Sequence, residues 1–71
     1  MSESLANIVE LVGSSDKGWH EAIEVALAEA MKTIRGITGL EVMSKTAVVD
    51  PNTGKITKYH ATIKLVFGVE R

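Results

Sequence analysis

Leu11–Ile23 reads LVGSSDKGWHEAI and places two glycines, Gly13 and Gly18, between an apolar β-branched run and the start of an amphipathic stretch. A phosphate loop has the pattern GxxxxGK[ST], in which the lysine and the hydroxyl meet the phosphates and their metal. Gly13 and Gly18 have that spacing, but Trp19 and His20 stand where the lysine and the hydroxyl belong. Such a loop also needs a large sheet of parallel strands, which 71 residues do not build. The stretch therefore reads as a strand-to-helix corner. Gly13 lets the strand turn, Ser15 or Asp16 accepts bonds from the free N–H groups of the first helical turn, and Glu21 takes a capping position.

Downstream of the corner, Trp19, Ala22, Ile23, Ala26, Leu27, Ala30, Met31 and Ile34 recur at helical spacing, which predicts one α-helix ending near Gly36. Glu21, Glu24 and Glu29 precede Lys32 and Arg35 on the opposite side, the order the helix dipole favours. Upstream, Asn7–Val12 alternates as a short strand, with Ile8, Glu10 and Val12 on one face and Val9 and Leu11 on the other. Two longer extended runs, Leu40–Val49 and Ile56–Phe67, flank Asp50-Pro51-Asn52-Thr53-Gly54, where Pro51 and Gly54 suit a hairpin turn. The fold class is α+β, in the order β-α-β-β.

In the last strand Tyr59, Ala61, Ile63, Leu65 and Phe67 alternate with Lys58, His60, Thr62, Lys64 and Val66, so the first set should face the helix. In the strand before it Leu40 and Val42 should face inward, leaving Gly39, Glu41, Met43 and Lys45 outward. One helix covers one side of a three-stranded sheet, and the other side, with His60, Met43 and Val66, has no cover from this chain. Association with further copies is the economical way to bury it.

Length and composition point the same way. A chain of 71 residues is expected to form a single domain over 1–71, burying only ~60% of the surface its unfolded form exposes. With no cysteines it has no disulfide staples, which suits a reducing cytoplasm. The start, MSESLANIVEL, lacks the basic and long apolar regions of a signal peptide, and no run approaches a membrane span. Eight basic residues against nine acidic ones, dispersed along the chain, argue against a nucleic-acid or anionic-membrane footprint.

Little in the chain carries catalytic or metal chemistry. His20 is expected to pair with Glu24 one helical turn on. His60 lies mid-strand on the uncovered face. Neither histidine belongs to a zinc-type spacing, and no serine–histidine–acid order or activated thiol suggests nucleophilic catalysis. The loop beginning at Asp50 resembles a calcium loop, but its glycine falls one place early and Ala61 occupies the position of the bidentate acid.

Three runs, VELVGSSDKGWHEAI (Val9–Ile23), ALAEAMKTIRGITGLEV (Ala26–Val42) and KYHATIKLVFGVE (Lys58–Glu70), together resemble the dodecin family over Asn7–Val69. The most specific elements are the ELVGSS junction, the alanine-rich helix ending in KTIRGI, the LEV strand start, and a closing strand of the form Y-x-x-x-[IV]-K-[LV]-x-F. The resemblance implies a β-α-β-β fold whose three-stranded antiparallel sheet wraps one helix. It also implies a hollow homododecamer that binds or stores small ligands and is not an enzyme. The ligands implied are flavins, FMN or riboflavin among them, held as stacked pairs at two-fold interfaces.

The same resemblance implies a changed site. Where flavin-binding members carry a stacking tryptophan this chain has Gly39, and where they carry a ring-bonding glutamine it has His60. Aromatic stacking contributes ~1 kcal/mol beyond the area it buries, so its loss weakens a flavin site. Trp19, on the helix, does not replace it. The expected cofactor-binding residues are Gly39, Glu41, Met43 and His60, lining a pocket for a small planar or anionic metabolite. The alternative is a non-flavin structural shell, or a calcium-binding dodecin, with Glu10, Glu41 and other carboxylates ringing its channels. The sequence resembles the branch of the family with a Gly-Trp or Ser-Trp helix start and no stacking tryptophan, some of which are associated with calcium or other small ligands.

Overall fold

The computed structural model describes residues 4–70. Strand β1 (Ser4–Ser15) leads into helix α1 (Trp19–Met31), followed by β2 (Ile37–Val49) and β3 (Ile56–Glu70). The strands lie in the order β1-β3-β2, with β3 antiparallel to both neighbours. β1 and β2 consequently run parallel to each other with β3 between them. Parallel strands need a long crossover, and α1 supplies it. The hairpin from β2 returns β3 into the gap that the crossover leaves. This is the expected antiparallel β-α-β-β sheet.

β1 is longer than the Asn7–Val12 read from its alternation, because β3 is long enough to pair with it from Ser4 through Ser15. Gly13 lies within that strand, opposite Ala61, and is not the corner. A Cβ at Gly13 would collide with the carbonyl of Ala22 and lie 3.0 Å from the Ala26 Cβ. Glycine is required there by the closeness of the helix. The corner falls at residues 16–18. Its expected side-chain cap is also absent. Gly18 is the N-cap, and Ser15 Oγ accepts instead from the Lys17 N–H at 3.0 Å. Glu21 does fold back over Gly18, its Oε1 2.8 Å from where a Cβ would stand.

The helix stops at Met31, short of Gly36. Its last turn tightens, with the N–H groups of Thr33 and Ile34 both bonding the Ala30 carbonyl at 3.1 and 2.8 Å. Lys32 therefore sits at the C-cap, where it pairs with Glu29 at 2.8 Å, and Arg35 lies outside the helix. Ile34 still packs against the core, whereas Met31, expected on the buried stripe, is 61% exposed.

Ala22, Ala26 and Ala30 form the buried edge of α1, Ala61, Ile63 and Leu65 are the buried residues of the central strand, and Ala26 and Ala30 pack with Ile63 and Leu65. Leu11, Ile23, Leu27, Ile34 and Ile37 close around them. The helix lies over β1 and β3 and scarcely reaches β2. Leu40 and Val42 point inward as expected, opposite Leu65 and Ile63, yet remain 39% and 37% exposed because no helix covers them. At the far end Asp50 bonds Lys55 and Gly54 through its backbone, and Gly54 closes the turn at φ 73°. Asp50 Oδ1 accepts from the Asn52 N–H, so the carboxylate is used in the turn.

The helix–sheet contact at Gly13 predicts a sharp asymmetry between glycines. Gly13→Ala should destabilise the fold by about 1–3 kcal/mol through overpacking. Gly39→Ala, where nothing lies within 4 Å of a new Cβ, should stay within about 0.5 kcal/mol. Urea unfolding of both variants at one protein concentration checks this, and equal midpoints would contradict the packing.

Candidate functional site

The face of the sheet turned away from α1 is built of cross-strand rows. Register pairs Ile8 and Gly39 with Val66, Glu10 and Glu41 with Lys64, Val12 and Ser44 with Thr62, and Ser14 and Thr46 with His60. Side chains directly opposite in such a ladder approach closely enough to interact. The face thus alternates in character along the strands. Lys64 lies between two carboxylates, and an apolar or mixed row flanks it on either side. Ile8 and Val12 are 60% and 65% exposed.

The row through His60 contains a side-chain hydrogen bond. Ser14 Oγ lies 2.7 Å from His60 Nδ1, and the imidazole is half-buried. The pair is not a triad, since Thr46 and no carboxylate completes its row. Its effect is to hold the ring through Nδ1.

Of the four residues expected to line the site, Gly39 and Glu41 occupy adjacent outward rows. Met43 does not pair. It falls in a β-bulge, between the pairs Val42–Ile63 and Ser44–Thr62. The bulge moves Lys45, expected outward, to an inward position opposite Ala61. His60 is separated from Lys64 by four residues of β3, roughly 13 Å at 3.3 Å per residue, and from the Gly39 row by roughly 20 Å. The single chain therefore brings Gly39 and Glu41 together and keeps His60 apart.

Other features lie off this face. His20 Nε2 pairs with Glu24 Oε1 at 3.5 Å on the exposed helix surface, as its spacing predicted. A depression of about 440 Å³ follows the turn from Met31 to Ile37, and another of about 350 Å³ runs over Lys17, Glu21 and Val25. Neither touches the four candidate residues. Among the described residues no group of three or more metal-ligating side chains converges, and no helix is long and apolar enough to cross a membrane.

Sequence reasoning missed Ser14 as the partner of His60, and it missed the bulge. The bulge had a signal. The inward apolar positions of β2 switch from even numbers, Leu40 and Val42, to an odd one, Ala47 opposite Tyr59, and such a parity change requires one extra residue. Ser14 had none, because its pairing depends on β3 lying beside β1.

The family model described as Dodecin matches residues 5–70. A dodecin of Thermus thermophilus is 34% identical over 62 residues, which span 87% of each chain. The crystal structure of a Thermus thermophilus dodecin variant, with one tryptophan replaced by phenylalanine, superposes with a TM-score of 0.87 at 30% identity, covering 97% of this chain and 100% of the other. A dodecin from Streptomyces coelicolor superposes with a TM-score of 0.88 at 27% identity, over 100% of this chain and 99% of its own. On the match across nearly its whole length, this chain belongs to the dodecin family.

Proposed function

We propose that this protein is a non-enzymatic small-ligand binding and storage module, a single dodecin-like domain assembled as a homododecameric shell in the cytoplasm. Its sites form where outward sheet faces of different copies meet, lined by Gly39, Glu41, Met43 and His60. The observation that carries this reading is the division of the candidate residues. Gly39 and Glu41 stand at one end of the uncovered face and the Ser14–His60 pair at the other. A second copy packed across that face is what can bring such separated groups into one cavity. The exposed apolar groups Ile8 and Val12 outward, and Leu40 and Val42 inward, supply surface for the contacts.

The residues present do not fit a stacked flavin of the kind the family resemblance implies. Gly39 has no side chain to lay against an isoalloxazine, and nothing else stands within 4 Å of its Cβ direction. FMN or riboflavin is therefore held weakly, and the widened site suits a small planar metabolite that hydrogen-bonds to His60. A cation reading has less support, since the ammonium of Lys64 shares the cross-strand row of Glu10 and Glu41.

Two measurements test this reading. Light scattering at micromolar concentration should report an assembly many times the 7.6 kDa chain, and a stable monomer would remove the intersubunit sites altogether. In a riboflavin titration followed by fluorescence quenching, the native protein should not saturate at micromolar ligand. Gly39→Trp should tighten binding about tenfold or more, from stacking and the area it buries. Saturation by the native protein, or no gain in the variant, would show that Gly39 is not the vacant platform.

A further inference from the structure

Helix α1 packs on β1 and β3, and Trp19 is the side chain that carries its reach to β2. The indole Nε1–H donates to the Thr46 carbonyl at 3.0 Å. The same ring meets Tyr59 edge-on, with centroids 4.9 Å apart and planes at 78°. These two partners bracket His60. Thr46 is its cross-strand neighbour on β2, and Tyr59 immediately precedes it on β3. Because side chains alternate across a strand, Tyr59 meets Trp19 on the helix side while His60 faces outward.

The bond to Thr46 lies three residues beyond the bulge at Met43, where β2 has two ways to continue. With the bulge, Thr46 opposes His60 and Lys45 opposes Ala61. Without it, the pairing of Val42 with Ile63 would continue one for one and set Lys45 opposite His60. A slip of one residue exchanges the two faces of a strand. The hydroxyl of Thr46 beside the imidazole would then give way to an ammonium, in a row that contains no acid. Without the bulge Thr46 would oppose Tyr59 itself, but the exchange of faces is a half-turn of β2 about its own axis. That half-turn would swing the Thr46 carbonyl to the opposite edge of the strand and away from the indole, so the two contacts of Trp19 are satisfied together only in the bulged register.

We infer that Trp19 is a positioning residue for the outer-face site: its clasp on Thr46 and Tyr59 holds β2 in the bulged register that sets a threonine, and not a lysine, beside His60. The inference rests on the outer face being the binding face, but its test needs no ligand and is read separately from the riboflavin titration.

The chain has no cysteines, so an introduced pair reports register cleanly. Val48 opposes Lys58 in the bulged register, whereas Ala47 would oppose it after the slip. Val48→Cys with Lys58→Cys should oxidise readily to an intramolecular disulfide, and Ala47→Cys with Lys58→Cys should not, because their Cβ atoms point to opposite faces. In a Trp19→Phe background, which retains an aromatic ring against Tyr59 but loses the donor, the second cross-link should rise several-fold and the first should fall, as read by peptide mass mapping. Unchanged yields in a variant folded by circular dichroism would overturn the inference. If Trp19→Phe does not fold, the same pairs are read in Trp19→Leu. Failure of both variants to fold would also overturn it, because Trp19 would then serve folding as a whole.

Discussion

The close seating of α1 on the two strands beneath it is the contact on which the rest of the molecule depends. Gly13 leaves room for the Ala22 carbonyl and the Ala26 methyl, and the buried edge of the helix is alanine at every turn. Small residues let the backbones approach, but they bury little surface. Ile63 and Leu65 are the largest fully buried side chains among the described residues, each contributing about 1.5–3 kcal/mol. A core so thin is marginal against the conformational entropy of ordering the chain.

The same seating decides what stays uncovered. A helix drawn down onto β1 and β3 cannot also lie over β2, so the long β2–β3 hairpin extends past it and the chain reaches 60 Å along its principal axis. Apolar groups remain in contact with water on both faces of the sheet, at Ile8 and Val12 outward and at Leu40 and Val42 inward. Closing such surfaces with copies of one chain is the low-cost solution for a domain of this size. Under the proposed function it would also make the ligand sites a product of assembly. That accords with the distance between His60 and the Gly39–Glu41 rows.

Two local devices tune the outer face within this frame. The bulge at Met43 re-aims the rest of β2, so that Lys45 turns inward and Thr46 joins the His60 row. On the opposite edge Ser14 holds the imidazole from β1. The chemistry presented outward therefore depends on a one-residue irregularity in one strand and a hydroxyl in another. Neither lies within ten residues of the histidine in sequence.

Periodicity alone determined the element order, the inward set on β3 and the alanine face of the helix. Those features repeat every two or 3.6 residues and depend on neighbours in sequence. The His20–Glu24 pair and the Asp50–Gly54 turn were legible for the same reason. Strand order, the packing role of Gly13, the exposure of Leu40 and Val42, the inward turn of Lys45 and the bond from Ser14 to His60 were decided by tertiary structure. Each of these depends on which segment lies beside which, and residues 46 apart in the chain become neighbours only when β3 fills the gap between two parallel strands.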